Sequence, residues 1–109
     1  MNNKILITGG IRSGKSVVAE NLILTYTNKP VYIATAKIFD DEMAQRISKH
    51  KNRRKNLWIE YEAYTDLVDV IKKTDHLGPR LVDCLTMWLN NVIFEKIDWK
   101  SEVSKLVEC

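Results

Sequence analysis

The segment Gly9-Gly10-Ile11-Arg12-Ser13-Gly14-Lys15-Ser16 brings together groups that handle phosphate. Its glycines let the backbone curl so that peptide N–H groups converge on an anion. The Lys15 ammonium can lie against the β- and γ-phosphates of a nucleotide, and the Ser16 hydroxyl is a hard oxygen suited to Mg²⁺. The spacing is G-x-x-x-x-G-K-[ST], that of a phosphate loop. Such a loop needs a strand before it and a helix after it. Lys4 to Thr8 is a short apolar run that reads as the strand, and Ser16 to Thr27 reads as the helix. The helix N-terminus adds about half a unit of positive charge at the anion site.

Two further features carry chemistry. Asp83 ends the apolar run Leu81-Val82-Asp83, as a Walker-B carboxylate does, and could hold Mg²⁺ opposite Ser16. The competing reading is an Asp that caps the following helix at Thr86. The second feature is Lys49-His50-Lys51-Asn52-Arg53-Arg54-Lys55, with five full positive charges in seven residues. It reads as a solvated helix end complementing the helix dipole, as a clamp for a nucleoside triphosphate, or as a nucleic-acid patch. No aromatic residue interleaves it, so nucleic acid ranks last. Met43, Ile47 and His50 step by four and three, which puts His50 on an apolar helical stripe. Arg46 and Arg54 lie four residues to either side and disfavour the charged imidazolium. A neutral imidazole can act as a nucleophile, and the same cations would stabilise charge building on phosphorus. His76, beside Leu77-Gly78-Pro79, reads as a surface residue in a turn.

The elements that would position these groups alternate. After the first strand and helix come a strand at Val31 to Thr35, a helix from Asp40 to about Arg54 and a strand at Trp58 to Ala63. A helix at Thr65 to Lys73, a strand at Arg80 to Leu85, and helices at Thr86 to Lys96 and Trp99 to Val107 follow. The first helix has a broad apolar side in Val17, Val18, Leu22, Ile23 and Leu24. Alternation of this kind predicts an α/β fold with a parallel sheet. At 109 residues the chain fits a single domain, and 45% hydrophobic with 28% charged content is ordinary for a globular protein. Lysine and arginine number 17 against 14 acidic residues, a net charge of +3 that implies no nucleic-acid partner by itself. No run approaches the roughly 18 apolar residues of a membrane span. The first residues lack the pattern of a signal peptide. Cys84 and Cys109 form neither a disulfide framework nor a metal-ligand spacing, which points to the cytoplasm.

Four blocks appear in order: Thr8 to Ser16; Tyr32-Ile33-Ala34-Thr35-Ala36; Asp40-Asp41-Glu42-Met43-Ala44-Gln45-Arg46-Ile47 with His50; and Val82-Asp83-Cys84-Leu85-Thr86-Met87-Trp88-Leu89-Asn90-Asn91. Together they resemble the bifunctional adenosylcobinamide kinase / adenosylcobinamide-phosphate guanylyltransferase family of cobalamin biosynthesis, from Lys4 to about Phe94. The resemblance implies a three-layer P-loop NTPase of the RecA-like branch with a mainly parallel sheet. Family members are substantially longer, so residues 1–109 would form one partial nucleotide-binding domain with the C-terminal part missing.

The implied reactions are phosphorylation of adenosylcobinamide by a nucleoside triphosphate, then GMP transfer from GTP to the product through a GMP–histidine intermediate. His50 matches the nucleophile, and Lys15 is the other catalytic candidate. Gly9, Gly10, Ile11, Arg12, Ser13, Gly14, Lys15 and Ser16 match the triphosphate loop. Thr35, Ala36, Lys37, Lys51, Asn52, Arg53, Arg54, Glu62 and Asp83 match nucleotide-binding positions. For Glu62 an exposed strand carboxylate is the competing reading. GTP, ATP and Mg²⁺ (on Ser16 and Asp83) are the implied cofactors, and a trimer the implied assembly. The alternatives are another small-molecule P-loop kinase, a non-catalytic nucleotide-binding fragment, and a RecA-type nucleic-acid ATPase, which the modest charge disfavours.

Overall fold

Val31-Tyr32-Ile33-Ala34 is rich in β-branched and aromatic side chains and follows Pro30, which cannot continue a helix. In the computed structural model, which describes residues 4–9, 14–36 and 58–109, this segment is the central strand β1 (Val31–Ala34). On one side it pairs in parallel with β2 (Ile59–Glu62), and on the other with β3 (Arg80–Asp83). Val31 lies opposite Ile59 and Arg80, and Ala34 opposite Glu62 and Asp83, so all three strands are in step. Further peptide bonds extend the ladder, from Ala63 N–H to the Ala34 carbonyl at 2.9 Å and from Thr35 N–H to the Asp83 carbonyl at 3.2 Å.

Side chains alternate across β1 and separate two layers. Val31 and Ile33 face a core with Ala63, Leu67, Val70, Trp88 and Val92, supplied by α2 (Leu67–Lys73) and α3 (Leu85–Phe94). Val103 and Leu106 of α4 (Trp99–Glu108) close it from outside. The buried Trp88 indole N–H donates to the Thr65 carbonyl at 3.3 Å. On the opposite face Tyr32 packs with Trp58 and with Ile23 of α1 (Lys15–Leu24). The result is α1, a parallel sheet, and α2 to α4: the expected α/β arrangement in three layers.

Local chemistry sets the boundaries. α1 stops at Leu24 rather than at Thr27, because the N–H groups of Thr25 and Tyr26 turn back to the carbonyls of Leu22 and Ile23 and the Thr25 hydroxyl donates to Leu22 at 2.6 Å. Its buried residues are Ala19, Glu20 and Ile23, whereas Val17, Val18 and Leu24 are exposed. Of the apolar side read from the sequence, Ile23 packs and Leu22 is half-buried, while Val17, Val18 and Leu24 face out. At the end of α2, Arg80 donates to the Ile71 carbonyl and pairs with Asp75 at 3.2 Å, placing a cation on a helix C-terminus. The Asp98 carboxylate caps α4 by accepting from the N–H groups of Lys100 and Ser101. The Tyr64 hydroxyl donates to Glu95 at 3.4 Å; desolvation and that carboxylate raise the phenol's pKa above 10.0.

One expected element is not formed. Residues 4–9 make no strand; Ile5 and Leu6 are exposed, and the Lys4 ammonium donates to the Val107 carbonyl of α4 at 2.7 Å. A continuous apolar run settles as a parallel strand when both its faces are covered. Among the described residues nothing gives this run that cover. The helix expected from Asp40 to about Arg54 lies outside the described residues.

Candidate functional site

Ligands of open α/β sheets collect beyond the carboxyl ends of the strands. Here those ends form one row, Glu62–Ala34–Asp83. Residues paired across a parallel sheet project to the same face, and Tyr32 shares the face of Ala34 two positions on. Asp83 therefore projects toward the α1 side. The Tyr32 hydroxyl reaches it there and donates to Oδ2 at 2.5 Å.

The direction of α1 follows from packing. Ile23, near its C-terminus, touches Tyr32 and Trp58, and Trp58 lies just before the start of β2. Residues 25–30 then lead straight into the start of β1. The helix thus runs against the strands, and its first turn points to the edge that carries Asp83. Ten helical residues span about 15 Å, and four strand residues about 13 Å, so the two lengths match. α1 also packs against β3.

Gly14 caps α1 with φ +80° and ψ +14°. A Cβ there would meet nothing within 4 Å, so the requirement for glycine is conformational. Lys15 and Ser16, both half-buried, open the helix beside its positive end. Gly9 is exposed. Gly10, Ile11, Arg12, Ser13, Lys37, His50, Lys51, Asn52, Arg53 and Arg54 lie outside the described residues.

Thr35 is 1% exposed. Its hydroxyl donates to the Cys84 carbonyl at 2.6 Å and accepts from the Cys84 N–H at 2.9 Å. The Asn91 amide, 3% exposed, donates to the carbonyls of Thr35 at 2.8 Å and Tyr64 at 2.9 Å. Thr35 therefore clasps the β3–α3 junction and fixes the backbone that carries Asp83. Ala36 and Glu62 are exposed at the same edge. The alternative of Asp83 as a helix cap is not realised: Cys84 occupies the cap position of α3 and no side chain bonds there. His76 is exposed in a short 3₁₀ turn, and neither Cys84 nor Cys109 is in a disulfide.

Sequence reasoning missed Tyr32 and Asn91 as parts of this site. A phenol or a carboxamide inside an apolar segment signals that a buried partner is needed. Which partner it meets depends on strand register, which neither residue encodes.

For Mg²⁺ the donor chemistry fits. Ser16 offers a hydroxyl and Asp83 a carboxylate, both hard oxygen donors, and Mg²⁺ usually takes one or two carboxylates and keeps several waters. Among the described residues no cluster of three or more His, Cys, Asp or Glu offers a denser cage. No helix there is long and apolar enough to cross a membrane.

The family model for "cobinamide kinase / cobinamide phosphate guanyltransferase" matches residues 5–109. The chain belongs to that family. Within the cobinamide kinase / guanyltransferase family it is similar to the "bifunctional adenosylcobalamin biosynthesis protein CobP" of Pseudomonas aeruginosa. The two are 39% identical over 109 residues, covering 95% of this chain and 62% of that one. Proteins named "bifunctional adenosylcobalamin biosynthesis protein CobU" match as well. The one from Escherichia coli is 40% identical over 94 residues, covering 84% of this chain and 50% of that one. The one from Salmonella typhimurium is 44% identical over 93 residues, covering 83% and 50%. The chain thus spans half to three-fifths of the length of these relatives.

Proposed function

We propose that this chain carries the nucleotide-handling part of an adenosylcobinamide kinase and adenosylcobinamide-phosphate guanylyltransferase acting in cobalamin biosynthesis. The observation that supports the reading most is the packing of α1, which opens with Gly14, Lys15 and Ser16, against β3, which ends in Asp83. Family membership and the relatives' names support it.

In the kinase step the hydroxyl oxygen of the aminopropanol arm attacks the γ-phosphorus of ATP or GTP, and the nucleoside diphosphate leaves. Lys15 neutralises charge on the β- and γ-phosphates, and the loop N–H groups orient them. In the transfer step an imidazole nitrogen of His50 attacks the α-phosphorus of GTP and pyrophosphate leaves. An oxygen of adenosylcobinamide phosphate then attacks that phosphorus, the P–N bond breaks, and His50 is regenerated. Lys51, Arg53 and Arg54 offset the charge that gathers on phosphorus. When bound by Ser16 and Asp83, Mg²⁺ supplies further neutralisation of phosphate charge.

The test is incubation with Mg²⁺ and GTP labelled at the α-phosphate, followed by denaturation and mapping. The expected result is an acid-labile, alkali-stable adduct on His50. His50→Ala loses the adduct and keeps phosphorylation, while Lys15→Ala loses both. Label retained by His50→Ala at the normal rate puts the nucleophile elsewhere. A second reading is a nucleotide-binding fragment without turnover. GTP binding without any adduct would select it.

A further inference from the structure

The Thr35 clasp holds the main chain at Asp83 and Cys84, but it leaves the carboxylate free to rotate. Tyr32 removes that freedom. Its side chain is 5% exposed on the central strand, and its ring meets Trp58 edge-on, with centroids 6.0 Å apart and planes at 86°. Ile23 of α1 packs in the same cluster. The hydroxyl held in this way donates to Asp83 Oδ2 at 2.5 Å.

The two carboxylate oxygens thereby become unequal. A phenol has one proton, and it is given to Oδ2. Among the described residues no hydrogen bond reaches Oδ1. We propose that Tyr32 is a positioning residue that turns Asp83 so that Oδ1 alone is presented to the hydrated divalent cation of a bound nucleotide. The proposal rests on the reading of Asp83 as the carboxylate of the nucleotide site. Partners that orient a metal ligand from behind typically alter affinity about 10- to 100-fold when removed. A purely structural Tyr32 would alter stability and leave metal affinity alone.

Tyr32→Phe removes the hydroxyl and keeps the ring against Trp58, so the variant retains its packing. The probe is Mn²⁺, read by its EPR signal as it binds the GTP-loaded chain. Thermal unfolding and GTP affinity in EDTA are recorded alongside. The expected result is Mn²⁺ affinity about tenfold weaker in Tyr32→Phe, metal-free GTP affinity unchanged, and no further loss when Tyr32→Phe is combined with Asp83→Asn. Wild-type Mn²⁺ affinity in Tyr32→Phe overturns the proposal, as does an equal loss in the Asp83→Asn background; both leave Asp83 its role. If Asp83→Asn alone binds Mn²⁺ as the wild type does, the reading of Asp83 fails and the proposal falls with it.

Discussion

Among the described residues Gly14, Gly78 and Lys96 have positive φ, and Gly14 and Lys96 predict opposite responses to substitution. Gly14 has φ +80° at the start of α1, with open space where a Cβ would stand. Alanine there meets no atom, so its cost is backbone strain alone, about 1–2 kcal/mol. Lys96 has φ +59° just past α3. The Lys96 N–H returns to the Ile93 carbonyl and the Ile97 N–H to the Val92 carbonyl, both at 3.0 Å, a complete Schellman closure. A lysine in that position carries the strain that glycine avoids, offset by the entropy glycine loses on folding. Lys96→Gly is expected to stabilise by up to about 1 kcal/mol, and Gly14→Ala to destabilise. Urea unfolding of both variants checks the pair; a destabilised Lys96→Gly would show that the αL closure is not the controlling term. Gly14 should also lose GTP affinity on substitution, since it shapes the loop, whereas Lys96 should not.

At the scale of elements, the junction of β3 and α3 is tied to β1 through Thr35. Thr35→Val keeps the shape and removes both hydrogen bonds to Cys84, leaving its N–H without the Thr35 partner while its carbonyl keeps the Trp88 N–H at 3.2 Å. The expected loss is about 1–3 kcal/mol, and Thr35→Ser, which restores the hydroxyl, should recover most of it. If Val is tolerated as well as Ser, solvent reaches the junction and the clasp contributes little.

The same junction shows what sequence could and could not reveal. Runs of β-branched residues bounded by Pro30 and Gly78-Pro79 located β1 and β3, and the stretch after Trp58 located β2, because pattern and breakers are local. Gly14, Lys15 and Ser16 were legible for the same reason: their chemistry is carried by spacing within one loop. The Tyr32–Asp83 bond spans 51 residues and the Asn91–Thr35 bond 56. Both exist only because parallel pairing sets Ala34 against Asp83, and nothing local to either residue fixes that register. α1 failed differently. Its residues are apolar nearly all round, so periodicity gave no basis for choosing Ala19 and Ile23 over Val17 and Val18 as the packed side.

At the scale of the whole molecule, the described residues cover the two faces of the sheet unequally. Among them α2, α3 and α4 bury Val31, Ile33, Leu67, Trp88 and Val92 on one face, while α1 is the helix packed on the other, with a core of Ile23, Tyr32 and Trp58. Loss of a large side chain from the first core, as in Trp88→Ala, carries about 3–5 kcal/mol, comparable with the whole stability of a small domain. The leaner side leaves Val18 57% exposed, and Leu6, in the segment expected to be a strand, is 73% exposed. That segment separates two accounts of the fold. As a covered central strand, residues 4–8 would tolerate no charge at Leu6, and Leu6→Lys would unfold the chain. As the exposed segment described here, held beside α4 by Lys4, it loses little apolar burial when lysine replaces leucine. Leu6→Lys is therefore expected to shift stability by less than about 0.5 kcal/mol and to reduce self-association, because it removes apolar surface from water without opening a core. Urea midpoints with sedimentation at two concentrations measure both effects. A collapse in stability would mean that the segment is a buried strand after all.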